Sequence, residues 1–367
     1  MPSILRLIVS ADPQGKLEDR VRELAEHALG ARVTHVEPLT AQLGLRHFFR
    51  VALATGPVPS LVARVDLPED PSGRPAGAAP EPALEPIRAL LERHGLPVPA
   101  CYGRDEAGGI DLLEDVGDQT LRDAAEAADA DERRALYQAV CDLVPRIQRI
   151  ADPGPQVAAF RRRLDDALFA YKARLFATWA LKSDRPAARE CVDTAFAVVA
   201  DAADDAPQRL AHRDLQSANI HLRPGPSPGG TPVLIDLQGA FLAPPEYDLV
   251  CLLRDSYVDL GDVEVEAQAE RVRSALPDAP SRDDFARRFD LLTISRKGKD
   301  LARFIQAASE RGDERFLAYV PRTLRVVRDA AERSAQRDPR LTDFAELCRE
   351  EYFAELCREE SRAACAQ

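Results

Sequence analysis

The sequence predicts an α+β fold of two lobes, a small antiparallel sheet with its helices and then a larger, mostly helical body. Three observations carry this. At 367 residues the chain is long enough for two hydrophobic cores, given about 150 residues per domain. Short Val-, Leu- and Phe-rich segments separated by Gly and Pro fill its first third, whereas helical spacing of apolar residues dominates beyond Gly117. The later return to strand character is a Pro/Gly-linked pair of apolar segments set among helices. The lobes are therefore drawn at 1–115 and 116–367, with the boundary near Asp115 to Asp118.

The elements follow in order. From Lys16, Leu17, Val21, Leu24, Ala25 and Ala28 recur at helical spacing up to Leu29, and Gly30 stops the helix. RVTHVEPL (32–39), HFFRVALA (47–54) and SLVARV (60–65) read as strands. A Pro/Ala/Gly loop from Pro68 to Pro80 leads into a helix over ALEPIRALLERHG (83–95), and ACYGRDEAGGIDLLED (100–115) gives two strands around an Asp-Glu-Ala-Gly-Gly turn. Helical spacing then runs through Leu136, Val140, Leu143 and Ile147, and again in 156–179, 186–203, 283–310 and 322–336. Among these, ANIHLRPGPSPGGTPVLIDL (218–237) is a β-hairpin. FAELCREE occurs twice, at 344–351 and 353–360. A nine-residue repeat puts the copies on opposite sides of a helix, which fits a local duplication in a peripheral C-terminal helix better than an interaction stripe.

Composition excludes several classes. With 45% hydrophobic and 30% charged residues, the chain matches neither a membrane protein nor a disordered one. Its 49 Lys plus Arg against 61 Asp plus Glu give a net charge of −12. Such a surface repels phosphate polyanions, so no nucleic-acid partner is expected. The seven cysteines are scattered, without a C-x-x-C pair or neighbouring histidines, which points to a reducing compartment and away from structural zinc. The opening MPSILRLIVSADPQG has a short apolar stretch broken by Arg6, too little for a signal peptide, and no apolar run approaches a membrane span. The expectation is a cytoplasmic protein without a membrane partner, a monomer or weak homodimer.

The chemistry concentrates in AHRDLQSANIHL (211–222) and VLIDLQGAF (233–241). His212-Arg213-Asp214, with Asn219 five residues after the aspartate, has the spacing of a kinase catalytic loop. There the Asp receives the acceptor hydroxyl's proton and the Asn ligates magnesium. Asp236 is the candidate second ligand. Asn219 precedes the first hairpin strand and Asp236 ends the second, so an antiparallel ladder returns both to one open end. Hard oxygen ligands with few protein contacts suit Mg²⁺ held mainly by nucleotide phosphates. A capping Asn beside a solvated Asp is the plainer alternative, but Asn219 is the only asparagine in the chain.

With these residues, the chain resembles the aminoglycoside phosphotransferase and choline kinase family of small-molecule kinases. VLIDLQGAFLAPPEYDLVCLLRD (233–255), IDLLEDVGDQTL (110–121), RHFFRVAL (46–53) and YVPRTLRVVRDAAER (319–333) extend the resemblance. They are most similar to the bacterial branch that phosphorylates the anomeric hydroxyl of N-acetylmuramate and N-acetylglucosamine. The similarity runs from about residue 32 to about residue 340. It implies a bilobal protein-kinase-like fold, ATP and Mg²⁺ as cofactors, and transfer of the γ-phosphoryl group to a hydroxyl of a small sugar-like acceptor. An aminoglycoside or amino-alcohol acceptor is the alternative, as is a nucleotide-binding regulator with little catalysis.

The resemblance also implies roles for individual residues. An ATP site between the lobes would use backbone groups around Glu114 to Val116 at the adenine edge. LTAQLGLRHFF (39–49) would cover the phosphates, with Gly44 in place of a full glycine motif. The phosphate-gripping strand lysine is missing, because Lys16 is the sole lysine before Lys172. Arg64 stands where it would fall, either on phosphate or as an outward-facing strand arginine. Its acidic partner would be Glu85, with Glu81 as the alternative. His212 and Asp248 would support the catalytic loop. Gln216, Arg254 and Asp255 would lie toward the acceptor, though Arg254 and Asp255 fit an intrahelical charged face equally well. Tyr171 and Trp179 match sugar-side helices loosely and read equally as core.

Overall fold

Alternating apolar residues build the first of two units, Met1–Ala78 with Pro99–Gly117. The computed structural model describes residues 13–39, 46–66, 81–181, 185–225 and 229–349 of the chain. In this unit α1 (Pro13–Leu29) precedes β1 (Val33–Pro38), β2 (His47–Leu53), β3 (Ser60–Val65), β4 (Cys101–Asp105) and β5 (Ile110–Glu114). The strands pair antiparallel in the order β1-β2-β3-β5-β4. In β2, β3 and β5 alternate side chains join the cluster packed with α1. Phe49 and Val51, Leu61, Ala63 and Val65, and Ile110 and Leu112 pack with Val21 and Ala25 into one buried cluster. The other face carries charge: Arg64 stands opposite Asp111 across β3 and β5, and Asp115 accepts from Arg50 at 2.9 Å and Ser60 at 2.8 Å.

The second unit is Ala79–Val98 with Asp118–Gln367, so the division falls between Gly117 and Asp118. One assignment changes. The helix drawn with the sheet, α2 (Leu84–Arg93), is grouped with the helical unit. The reason is packing, since α2 lies against the turn Leu237–Gly239.

Next come α3 (Leu121–Ala127), α4 (Ala130–Cys141) and α5 (Leu143–Gln148), the first two opened by capping boxes at Thr120/Asp123 and Asp129/Glu132. The helical stretch expected over 156–179 is broken into a 3-10 turn Ala158–Arg161, α6 (Asp166–Leu175) and a π turn Phe176–Ala180. After α7 (Pro186–Asp204), β6 (Arg209–Ala211) pairs with β9 (Phe241–Ala243), enclosing the expected hairpin of β7 (Ile220–Arg223) and β8 (Thr231–Leu234). Then follow α8 (Tyr247–Leu253), α9 (Asp262–Arg273), α10 (Arg282–Arg311), α11 (Val320–Ala335) and α12 (Thr342–Leu347).

The axis of this unit is α10, a helix of 30 residues against which α6, α7, α8 and α11 pack. It starts at the Ser281 cap. Gly298 in its middle costs roughly 1 kcal/mol of helix propensity. A Cβ there would stand 3.0 Å from the Phe176 ring, so the glycine lets the π turn close on the helix. No described helix is long and apolar enough to cross a membrane. The chain start to residue 12, residues 40–45 of the expected phosphate-covering turn, the loop 67–80 and the second FAELCREE copy lie outside the described residues.

Candidate active site

The loop His212–Asn219 is held at both ends. Pairing of Ala211 with Phe241 ties its start to the segment that follows Asp236. At α8, Asp248 accepts the main-chain N–H of His212 at 2.7 Å and of Arg213 at 3.0 Å. Arg213 adopts φ of 80° and Asp236 φ of 61°. Side chains other than glycine rarely occupy this region, and such strain of about 1–3 kcal/mol collects at functional sites. Further along, Asn219 Nδ2 donates to the Asp214 carbonyl at 2.9 Å.

The hairpin brings Asp236 back to this loop. Ile220 pairs with Leu234, and the Ile235 N–H donates to the Asn219 carbonyl at 3.1 Å, so Asp236 follows one residue after Asn219's own partner. The turn Leu237–Gly239 then runs beside the catalytic-type aspartate: a Cβ on Gly239 would lie 3.9 Å from Asp214 Oδ2. The donor set suits a hard cation. The amide nitrogen of Asn219 donates to a carbonyl, its Oδ1 is an acceptor, and Asp236 adds carboxylate oxygens. One of these, Oδ1, accepts from Gln238 at 2.6 Å. Two oxygen ligands fit an ion completed by substrate phosphates and water.

Asp214 sits among cations. Burial pushes its carboxyl up, but Arg296, Lys299 and Arg213 hold it well below the usual carboxylate range. Arg296 Nη2 donates to Oδ1 at 2.9 Å, while Oδ2 has the Arg213 Nε 3.8 Å away. Arg296 is itself buried and paired with Asp300, which Lys297 and Lys299 each approach to 3.2 Å.

Behind this group, Lys172 is buried between the rings of Phe169 and Tyr247 and donates to Ser295 Oγ at 3.4 Å. Burial, with Arg296, Lys299 and Arg213 nearby, pushes its ammonium down to about 7. An unfolded lysine titrates near 10.4. Below pH 7 the lysine is charged in both states and the fold bears the full cost of the buried charge. As pH rises through that window only the unfolded chain remains protonated, and the cost disappears. Lys172→Met is therefore expected to raise stability by a few kcal/mol at neutral pH, at ~1.4 kcal/mol per pKa unit. The gain should shrink toward pH 10. Denaturant titrations at several pH values check this, and a difference that does not vary with pH would count against it.

The remaining predicted residues divide. Arg64 is buried on the sheet face away from α1, held by Asp111 at 2.8 Å and Asp66 at 2.7 Å. Glu85 instead binds Arg88 at 2.6 Å. Arg64 and Glu85 each meet an opposite charge within their own unit. Glu114 exchanges bonds with Ala100, its N–H donating at 2.8 Å and its carboxylate accepting at 3.1 Å, and Val116 is buried. Gln216 opens the turn Ser217–Asn219, its carbonyl accepting the Asn219 N–H at 2.8 Å. Arg254 and Asp255 have partners within the protein. Arg254 pairs with Asp262, and the buried Asp255 accepts N–H groups of Ser217 at 2.8 Å and Tyr257 at 3.2 Å. Asp255 is therefore a second brace of the loop. His212 is buried, with neither ring nitrogen hydrogen-bonded. Tyr171 accepts from Arg303 at 3.0 Å.

Sequence reading missed Arg296, Lys297, Lys299 and Asp300. A signal existed: SRKGKD interrupts the apolar spacing of a helix flanked by LLTI and LARFI, so those charges had to be buried or to face a site.

A sheet-bearing unit joined to a helical unit whose His-Arg-Asp loop faces an Asp-headed turn defines a phosphotransferase of protein-kinase-like fold. Solved structures share the fold. The choline kinase LicA from Streptococcus pneumoniae is 17% identical with a TM-score of 0.55, covering 86% of this chain and 99% of that one. ADP-bound aminoglycoside phosphotransferase APH(2'')-Ib is 14% identical with a TM-score of 0.51, covering 85% and 97%. Residues 35–285 match the model of the phosphotransferase enzyme family, and the chain belongs to that family. Its relatives include the N-acetylmuramate/N-acetylglucosamine kinase of Pseudomonas aeruginosa, 28% identical over 271 residues, which are 71% of this chain and 75% of that protein. The kinase of the same name from Neisseria meningitidis serogroup B is 24% identical over 327 residues, 85% of this chain and 90% of that protein.

Proposed function

We propose that the protein transfers the γ-phosphoryl group of ATP to the anomeric hydroxyl of N-acetylmuramate or N-acetylglucosamine. The observation that carries this is the Asp214 carboxylate, with one oxygen tethered by Arg296 and the other beside the Asp236–Gly239 turn. Asp214 orients the acceptor hydroxyl through Oδ2 and takes its proton late, as a loose phosphoryl transition state requires. Asn219 and Asp236 are the residues that would hold Mg²⁺, whose charge offsets that of the phosphates when it is bound. With Arg64 held by two carboxylates, the partly exposed Arg213 and Lys299 are the better candidates for offsetting phosphate charge.

The choice of acceptor follows from the named relatives. The described cysteines, Cys101, Cys141, Cys191, Cys251 and Cys348, are free thiols, which supports a reducing, cytoplasmic setting.

The test is an acceptor panel of N-acetylmuramate, N-acetylglucosamine, hexoses, aminoglycosides and choline with labelled ATP and Mg²⁺, and NMR of the product. Phosphate should appear on C1 of the N-acetylated sugars and vanish with a chelator. Transfer to aminoglycosides or choline alone would replace this reading.

A further inference from the structure

Arg296 lies on α10, 82 residues from the aspartate it contacts, and its side chain is 1% exposed. Each guanidinium nitrogen has its own partner. Nη2 donates to Asp214 Oδ1 at 2.9 Å, Nε to Cys251 Sγ at 3.2 Å and Nη1 to the Asp300 carboxylate. The Cys251 thiol donates in turn to the Arg213 carbonyl at 3.2 Å. The planar fork is thus fixed to its own helix through Asp300, to α8 through Cys251 and, by way of that thiol, to the loop carrying Asp214. A guanidinium held in three directions has one orientation available.

Charge compensation alone does not call for this arrangement. Asp300 lies one turn along the same helix and already supplies a buried counter-charge to Arg296. The further contact falls on one oxygen of a carboxylate that is 27% exposed, leaving Oδ2 on the side of Gly239. Where alignment supplies most of the rate, misplacing a reacting group by about 1 Å costs roughly 100-fold.

We infer that Arg296 is a positioning residue, which locks the Asp214 carboxylate so that Oδ2 meets the acceptor hydroxyl. This rests on the phosphotransfer reading above. It assigns to the long helix of the second unit a part in the reaction that the catalytic-loop motif does not contain.

The experiment compares wild type, Arg296→Lys and Arg296→Met for kcat, KM of both substrates, Mg·ATP affinity by calorimetry and melting midpoint. Lysine keeps the charge, but a single ammonium cannot hold Asp214, Cys251 and Asp300 together. Arg296→Lys should lose about 10- to 100-fold in kcat, with Mg·ATP affinity within about threefold and a melting midpoint that falls without unfolding the protein at the assay temperature. Should the methionine variant fail to fold, the lysine variant decides. Arg296→Lys with kcat within about twofold of wild type overturns the inference, as does a loss matched by equal losses of ATP affinity and melting midpoint, which would mark a structural ion pair. A wild-type protein that phosphorylates no acceptor would instead remove the phosphotransfer reading itself.

Discussion

Replacing Asp214 by alanine is expected to lower kcat by about 10³-fold while Mg·ATP affinity stays within a few fold. A positioned proton acceptor contributes about 10²–10⁴-fold. Here the same carboxylate also sets the direction of the attacking hydroxyl. Nucleotide affinity should survive, because the proposed metal ligands, Asn219 and Asp236, lie elsewhere on the hairpin, and Asn219 bonds to the Asp214 main chain, which alanine preserves. Asp236→Ala should behave differently and weaken metal-dependent ATP binding along with turnover. Calorimetry with and without a chelator, beside steady-state kinetics, separates the two variants. Turnover of Asp214→Ala within tenfold of wild type would remove the proton-acceptor assignment.

Asp248→Asn is expected to reduce both stability and activity although it changes few atoms. Asp248 is buried and accepts two main-chain N–H groups at the point where Arg213 enters its left-handed conformation. An asparagine there offers one acceptor and one NH₂ donor, so one of the two N–H groups faces another donor. A buried donor left unpaired costs about 1–3 kcal/mol. Relaxation of Arg213 would also shift the adjacent Asp214. The expected result is a loss of about 2–3 kcal/mol on denaturation together with about 100-fold in kcat. Near-wild-type kcat in a destabilised variant would show that the strained turn is not what places Asp214.

The two defects should also differ under load. Asp214→Ala should lose about 1–3 kcal/mol, because Nη2 of the buried Arg296 is left without its acceptor, but its main-chain turn stays held by Asp248. Asp248→Asn should add loosening of that turn to its loss of stability, because Asp248 is the carboxylate that accepts both main-chain donors.

Much of this molecule was legible in its sequence. Short Val-, Leu- and Phe-rich segments bounded by Gly and Pro, and helical spacing in the later segments, determined the strands and most helices, because these compositions and periods are set by local sequence. The hairpin between Asn219 and Asp236 was likewise legible, and its antiparallel pairing returns these two positions to one end. Tertiary structure decided what depends on contacts between distant segments. The strands RLA and FLA are too short to show any period, yet their pairing anchors the loop that carries Asp214. The partner of Arg64 proved to be Asp111 because strand register, which Arg64's own neighbours do not encode, places it across the ladder. Asp255 became a brace, and Arg296 came to hold Asp214 from 82 residues away. Charges buried that far apart along the chain choose their partners only once packing has excluded water and left each of them its few neighbours.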